Sequence, residues 1–242
     1  MKRNLYIATG FAAALVTLGT ASYVLNNKSV VEAATTTAPR FEVDPLWPKP
    51  LPNHWLMGQT IGVAVDAQDH IWIIHRAGSL EAGEQHLTAK IAQCCAAAPP
   101  VLVFDQAGNL INSWGGKGQG YDWPDSNHGI FVDFKGNVWI GGNGRGPASG
   151  RGALNGQDEE IPTGARGPGG RVDPFSDNQV LKFTQQGKFL LQIGKPKSSK
   201  GSNDPDNLRL PAKATVDPKT NELYVADGYG NHRVIVIAVS DV

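Results

Sequence analysis

The 242-residue sequence predicts an all-β fold made of repeated antiparallel sheets. Three observations carry this prediction. Glycine (29) and proline (16) are abundant and punctuate short runs rich in Val, Ile, Trp and Phe, the composition of strands joined by tight turns. The segment GVAVDAQDHIWI from Gly62 aligns without a gap on GIFVDFKGNVWI from Gly129, and KATVDPKTNELYVADG from Lys213 is a third copy with one extra turn residue. A second kind of segment also recurs: PPVLVFDQAGNLINSWG from Pro99 superposes on NQVLKFTQQGKFLLQIG from Asn178, with Val101 on Val180, Phe104 on Phe183 and Gly108 on Gly187.

The chain opens with Lys2 and Arg3 followed by an uncharged apolar run from Leu5 to Leu25. A basic start, an apolar stretch and small residues near Ala33 read as a signal peptide over residues 1–33, with an N-terminal membrane anchor as the alternative. Either one places the rest of the chain outside the cytoplasm, in the periplasm or the extracellular medium. Residues 34–53 are too rich in proline for a helix or a central strand and form an extended lead-in.

From residue 54 to 242 the repeats take over. Each copy of the first kind alternates apolar and polar positions on both sides of an Asp-started turn, the pattern of a β-hairpin with one buried face. The second kind supplies another hairpin, so each unit has four strands. Such units in series define a β-propeller, whose blades hide their faces against one another. The stretch NHRVIVI aligns with DNQVLKF as the third strand of a third unit, where the pattern stops. The expectation is an incomplete propeller with fewer than three full blades, a truncated ring with an open edge and face that invites self-association.

Two insertions interrupt the paired strands. Residues 75–100 include the adjacent Cys94 and Cys95, which read equally as a vicinal disulfide or as two thiols. Residues 141–177 are glycine-rich, with too little apolar content to pack, and read as a mobile surface loop.

Several function classes are disfavoured. Lysine plus arginine equals aspartate plus glutamate at 22 each, leaving no net field to attract nucleic acid or an anionic membrane, so membrane contact is limited to the N-terminal segment. No glycine cluster leads from a strand into a helix as nucleotide binding requires, and no nucleophilic-serine motif is present. Asp66, Asp133 and Asp217 recur at one repeat position, which points to turn chemistry and not to a catalytic carboxylate pair.

VADGYGNHRV is a repeat of the NHL type. Through GVAVDAQDHIWIIHR, HGIFVDFKGNVWI, LPAKATVDP and YVADGYGNHRVIVI, the chain from about Phe41 resembles the first half of the NHL propellers related to peptidyl-α-hydroxyglycine α-amidating lyase. The resemblance implies a six-bladed ring in the full form and a zinc- and calcium-dependent lyase that cleaves the C–N bond of a carbinolamide, giving an amide and glyoxylate. It implies that His128 is one of three zinc-binding histidines, that Val63 and Ile130 give main-chain carbonyls to calcium, that Arg76 holds a carboxylate, and that Tyr229 is the base. The family's other two zinc histidines and its calcium aspartate belong to later blades, and Gly230 stands where animal lyases have a cysteine.

On the residues alone, each site has a plainer reading. His128 is a hydrogen-bonded strand-start residue, Tyr229 a packing aromatic, Arg76 a partner for Glu81 or Glu84, and His232 and Arg233 serve the blade. Two other functions remain open: a non-catalytic propeller that binds a protein or glycan partner, and a calcium-dependent lactonase-like propeller. A small-molecule or peptide substrate belongs to the enzymatic readings.

Overall fold

The computed structural model describes residues 15–23, 39–91, 93–144 and 176–239. It forms two compact units, residues 1–45 and 46–242. In the first unit a helix covers residues 15–23 and residues 39–44 are without regular structure. Among the described residues no helix is long and apolar enough to cross a membrane; most of the apolar run from Leu5 to Leu25 lies outside them.

The second unit is all-β. Its first sheet has the order β2(Gln59–Val65), β3(Ile71–Arg76), β5(Val101–Phe104), β6(Leu110–Trp114). The second sheet repeats it with β7(Asn127–Val132), β8(Val138–Gly142), β9(Gln179–Phe183) and β10(Phe189–Gly194). The third has β11(Lys213–Val216), β12(Glu222–Asp227) and β13(Arg233–Ala238). Neighbours in all three sheets are antiparallel. Two four-stranded blades and a three-stranded one make a partial propeller, in agreement with the sequence reading.

The hairpins form for a reason written into their turns. Asp66 Oδ1 accepts the peptide N–H groups of Gln68 and His70 at 2.9 Å, while Oδ2 accepts Trp72 Nε1–H at 2.9 Å. Asp133 repeats this with the N–H groups of Lys135 and Asn137 and with Trp139 Nε1–H at 2.9 Å. One carboxylate thus closes the turn and also satisfies the indole of a tryptophan buried between blades. In the third blade Asp217 accepts Lys219 N–H, while Tyr224 stands in the tryptophan's place and donates to Glu222.

Two cores glue the blades together. Trp72, Ile74, Val101 and Val103 of the first sheet meet Ile130, Val132, Ile140, Leu181 and Phe183 of the second. Trp139 and Val180 of the second sheet meet Ala214, Val216, Leu223 and Val225 of the third. Each fully buried side chain of this size stabilises the fold by about 1.5–3 kcal/mol. A third core lies on the outer face of the first blade, where Trp47, Leu51, Trp55 and Met57 cover Ile73, Leu102 and Phe104. The lead-in therefore packs from Trp47 onward: β1(Trp55–Leu56) pairs in parallel with β4(Ala96–Ala97) of the first insertion, and Lys49 N–H reaches Gly108 O at 3.0 Å.

The entry to each inner strand is pinned in the same way. Gly58, Asp125 and Arg209 occupy equivalent positions, and their N–H groups are accepted by His75 Nδ1 (3.1 Å), Asp177 Oδ1 (2.8 Å) and Asp227 Oδ1 (2.7 Å). The register makes His75, Gly142 and Asp227 equivalent, so only the second blade takes its acceptor from somewhere else.

Candidate functional site

His128 lies at the start of β7, where the β7–β8 register shifts between His128 and Ile130. The extra residue is Gly129 at φ +73, a left-handed conformation that suits glycine. A Cβ there would come within 2.6 Å of Ala212 O. This bulge lets β11's leading segment approach closely enough for His128 Nδ1 to reach Ala212 O at 2.9 Å. A carbonyl can only accept, so Nδ1 carries the proton and Nε2 presents its lone pair. That lone pair faces the Tyr229 hydroxyl at 3.4 Å, with the two rings edge to face at 5.3 Å and 80°. Tyr229 follows β12 and is half exposed.

Arg76 closes β3 at the same end of the sheets. Its Nη2 donates to Asn143 Oδ1 at 2.9 Å, its Nε reaches Asn127 O at 3.4 Å and its Nη1 reaches Gln59 Oε1 at 3.5 Å. Burial pushes the guanidinium pKa down, opposed by the charges of Tyr229 and Asp177. Arg76 therefore shares an electrostatic environment with the tyrosine. It makes no ion pair with Glu81 or Glu84: those two form a reciprocal capping box on a short 3-10 turn.

Val63 and Ile130 lie on the neighbouring inner strands β2 and β7. The backbones come so close there that a Cβ on Gly62 would be 3.2 Å from Ile130 N. Val63 is exposed, whereas the Ile130 side chain is buried in the first core. Among the described residues no group of three or more His, Cys, Asp or Glu converges as a metal site requires. His128 Nε2 is suited to be one metal ligand, and a zinc site needs further ligands from outside the described residues.

The sequence reading overlooked three residues of this region: Asn127, Asn143 and Asp177. Asn127 Nδ2 donates to His75 O at 2.9 Å, and Asn143 Oδ1 accepts from both Arg76 and Ser126 Oγ. Asp177 is buried and accepts from the peptide N–H groups of Asp125, Ser126 and Gly144. All three lie at strand ends, where hydropathy alternation says nothing; the signal available was that both insertions leave from this end, after Arg76 and after Gly142.

Other expectations meet the structure as follows. Cys94 and Cys95 are joined as a disulfide. Arg233 serves the blade, pairing with buried Asp227 at 2.8 Å and donating to Ser202 O and Asn207 O. Gly230 packs so tightly on Arg209 that a Cβ would meet its side chain at 2.5 Å. Residues 145–175 of the second insertion lie outside the described residues.

Face-packed antiparallel sheets with a polar cluster at one end of their inner strands define a partial β-propeller protein. The model of the NHL repeat matches residues 208–237, which contain the Asp227–Asn231–Arg233 network. The chain is 26% identical over 191 residues to the peptidylglycine alpha-amidating monooxygenase of Rattus norvegicus, and 27% identical to that of Mus musculus. Each alignment covers 76% of this chain and only 16% of the relative's length. Among solved structures, a virginiamycin B lyase from Staphylococcus aureus is 14% identical, with 78% of this chain and 58% of that chain covered at a TM-score of 0.29.

Proposed function

We propose that this chain is an exported NHL propeller that supplies one side of a metal-dependent lyase site acting on peptidyl-α-hydroxyglycine carbinolamides. The observation that carries the reading is the His128–Tyr229 pair: an imidazole with its Nδ1 proton committed to Ala212 O and its Nε2 turned to a half-exposed phenol. Similarity to amidating monooxygenases over most of the chain supports it. Export rests on the basic, apolar N-terminus.

In this reading His128 would hold zinc together with ligands from outside the described residues, and the main-chain carbonyls of Val63 and Ile130 would be offered to calcium. A bound zinc would lower the pKa of the substrate hydroxyl. Arg76 binds the substrate carboxylate through guanidinium N–H groups. Tyr229 takes the hydroxyl proton as the carbonyl of glyoxylate forms. The C–N bond breaks and the departing amide nitrogen gains a proton, so the products are the peptide amide and glyoxylate. The test is glyoxylate release from an N-acyl-α-hydroxyglycine with zinc and calcium supplied. Release that is lost in H128A and Y229F supports the reading; release that survives both variants, or no release with metals present, counts against it.

A further inference from the structure

We infer that Asp177 is a positioning residue for His128, standing in for the strand-end acceptor that the second blade lacks; the functional consequence rests on the proposed zinc role of His128. At the entry to each inner strand one peptide N–H is accepted by a side chain, and in the first and third blades that side chain is at the equivalent strand-end position, His75 or Asp227. In the second blade this position is Gly142. The carboxylate instead arrives from the segment leading into β9 and fills the space left by the missing side chain, since a Cβ on Gly142 would come within 2.5 Å of Asp177 Oδ2.

Asp177 does more than its counterparts. Its Oδ1 accepts Asp125 N–H at 2.8 Å, and its Oδ2 accepts Ser126 N–H at 3.0 Å and Gly144 N–H at 2.6 Å. Two of these bonds hold the residues immediately before Asn127 and His128, and the third holds the chain just beyond β8. Pinned on both sides, β7 begins where the His128 imidazole can meet Ala212 O and Tyr229. Removing the carboxylate leaves three peptide N–H groups without an acceptor in a buried setting, which the segment can relieve only by moving toward water.

The test compares the whole chain with D177A, D177N and D227A. Amide hydrogen exchange is read over residues 125–128 and 209–212, and Zn2+ affinity by calorimetry. We expect D177A to speed exchange at 125–128 at least tenfold while 209–212 is unchanged, D227A to do the reverse, and D177N, which keeps one acceptor oxygen, to fall between wild type and D177A. Zinc affinity should fall in the same order for the Asp177 variants. Should D177A unfold and exchange everywhere, D177N decides: wild-type exchange at 125–128 overturns the inference. Faster exchange at 125–128 with wild-type zinc affinity also overturns it. If the wild-type chain binds no zinc while exchange behaves as described, the latch stands and the zinc reading of the site fails.

Discussion

At the scale of single residues, the cluster at the strand ends contains groups whose plain and functional roles differ by one atom. His128 uses Nδ1 structurally, and only Nε2 is left for chemistry. A variant that keeps a donor N–H for Ala212 O, H128Q, should therefore fold like wild type and yet bind zinc at least about tenfold more weakly, because an amide oxygen is a poorer zinc ligand than imidazole; calorimetry with Zn2+ and a thermal melt separate the two effects. Arg76 was legible in the sequence as a residue of interest, but its partners were not. Asn143 and Asn127 come from the next blade, and nothing in local spacing links residues that only the stacking of sheets brings together. Asp177 was hidden for a further reason: it substitutes for a side chain absent from Gly142, and a replacement from a different strand leaves no repeat signature.

At the scale of strands and turns, the sequence was most informative. The Asp66 and Asp133 turns read correctly as turn chemistry, since each carboxylate sits just before the next strand and accepts N–H groups of its own loop; the indole bond to Trp72 and Trp139 is what the spacing did not reveal. D133N keeps one acceptor oxygen and should lower stability by about 1–3 kcal/mol through the poorly satisfied Trp139 indole and turn amides, measurable by urea unfolding. The first blade's latch responds to pH through a histidine. His75 is buried, with Nδ1 accepting Gly58 N–H and Nε2 facing Pro99 O at 2.9 Å. Burial pushes its pKa down, only partly offset by the carbonyls of Pro99 and Ala98. The folded state thus binds the proton less well than the unfolded chain, whose histidine titrates at about 6.5. Stability contributed by neutral His75 is complete above that value and is lost as the pH falls through the folded pKa. The melting temperature should drop between about pH 7 and pH 5, and H75Q should flatten that part of the profile.

At the scale of the whole molecule, the blade count and order were legible because the repeat is written twice in full and once in part. The packing of the lead-in was not, because proline-rich composition gave no hint that Trp47, Trp55 and Met57 would cover the first blade. Two faces stay open among the described residues: Val234 and Val236 on β13 are 66% and 48% exposed, and Val63 and Val65 on β2 are each 55% exposed. Apolar sheet faces of this kind associate. Light scattering should show concentration-dependent assembly that V234K/V236K reduces without lowering the melting temperature.

The measurement that bears most directly on the site is a Zn2+ titration of the wild-type chain beside H128A, with Y229F as the control that leaves the imidazole in place. The account predicts that wild type and Y229F bind zinc with affinities within a few-fold of each other and that H128A loses at least about tenfold. Equal zinc affinity in wild type and H128A would contradict it.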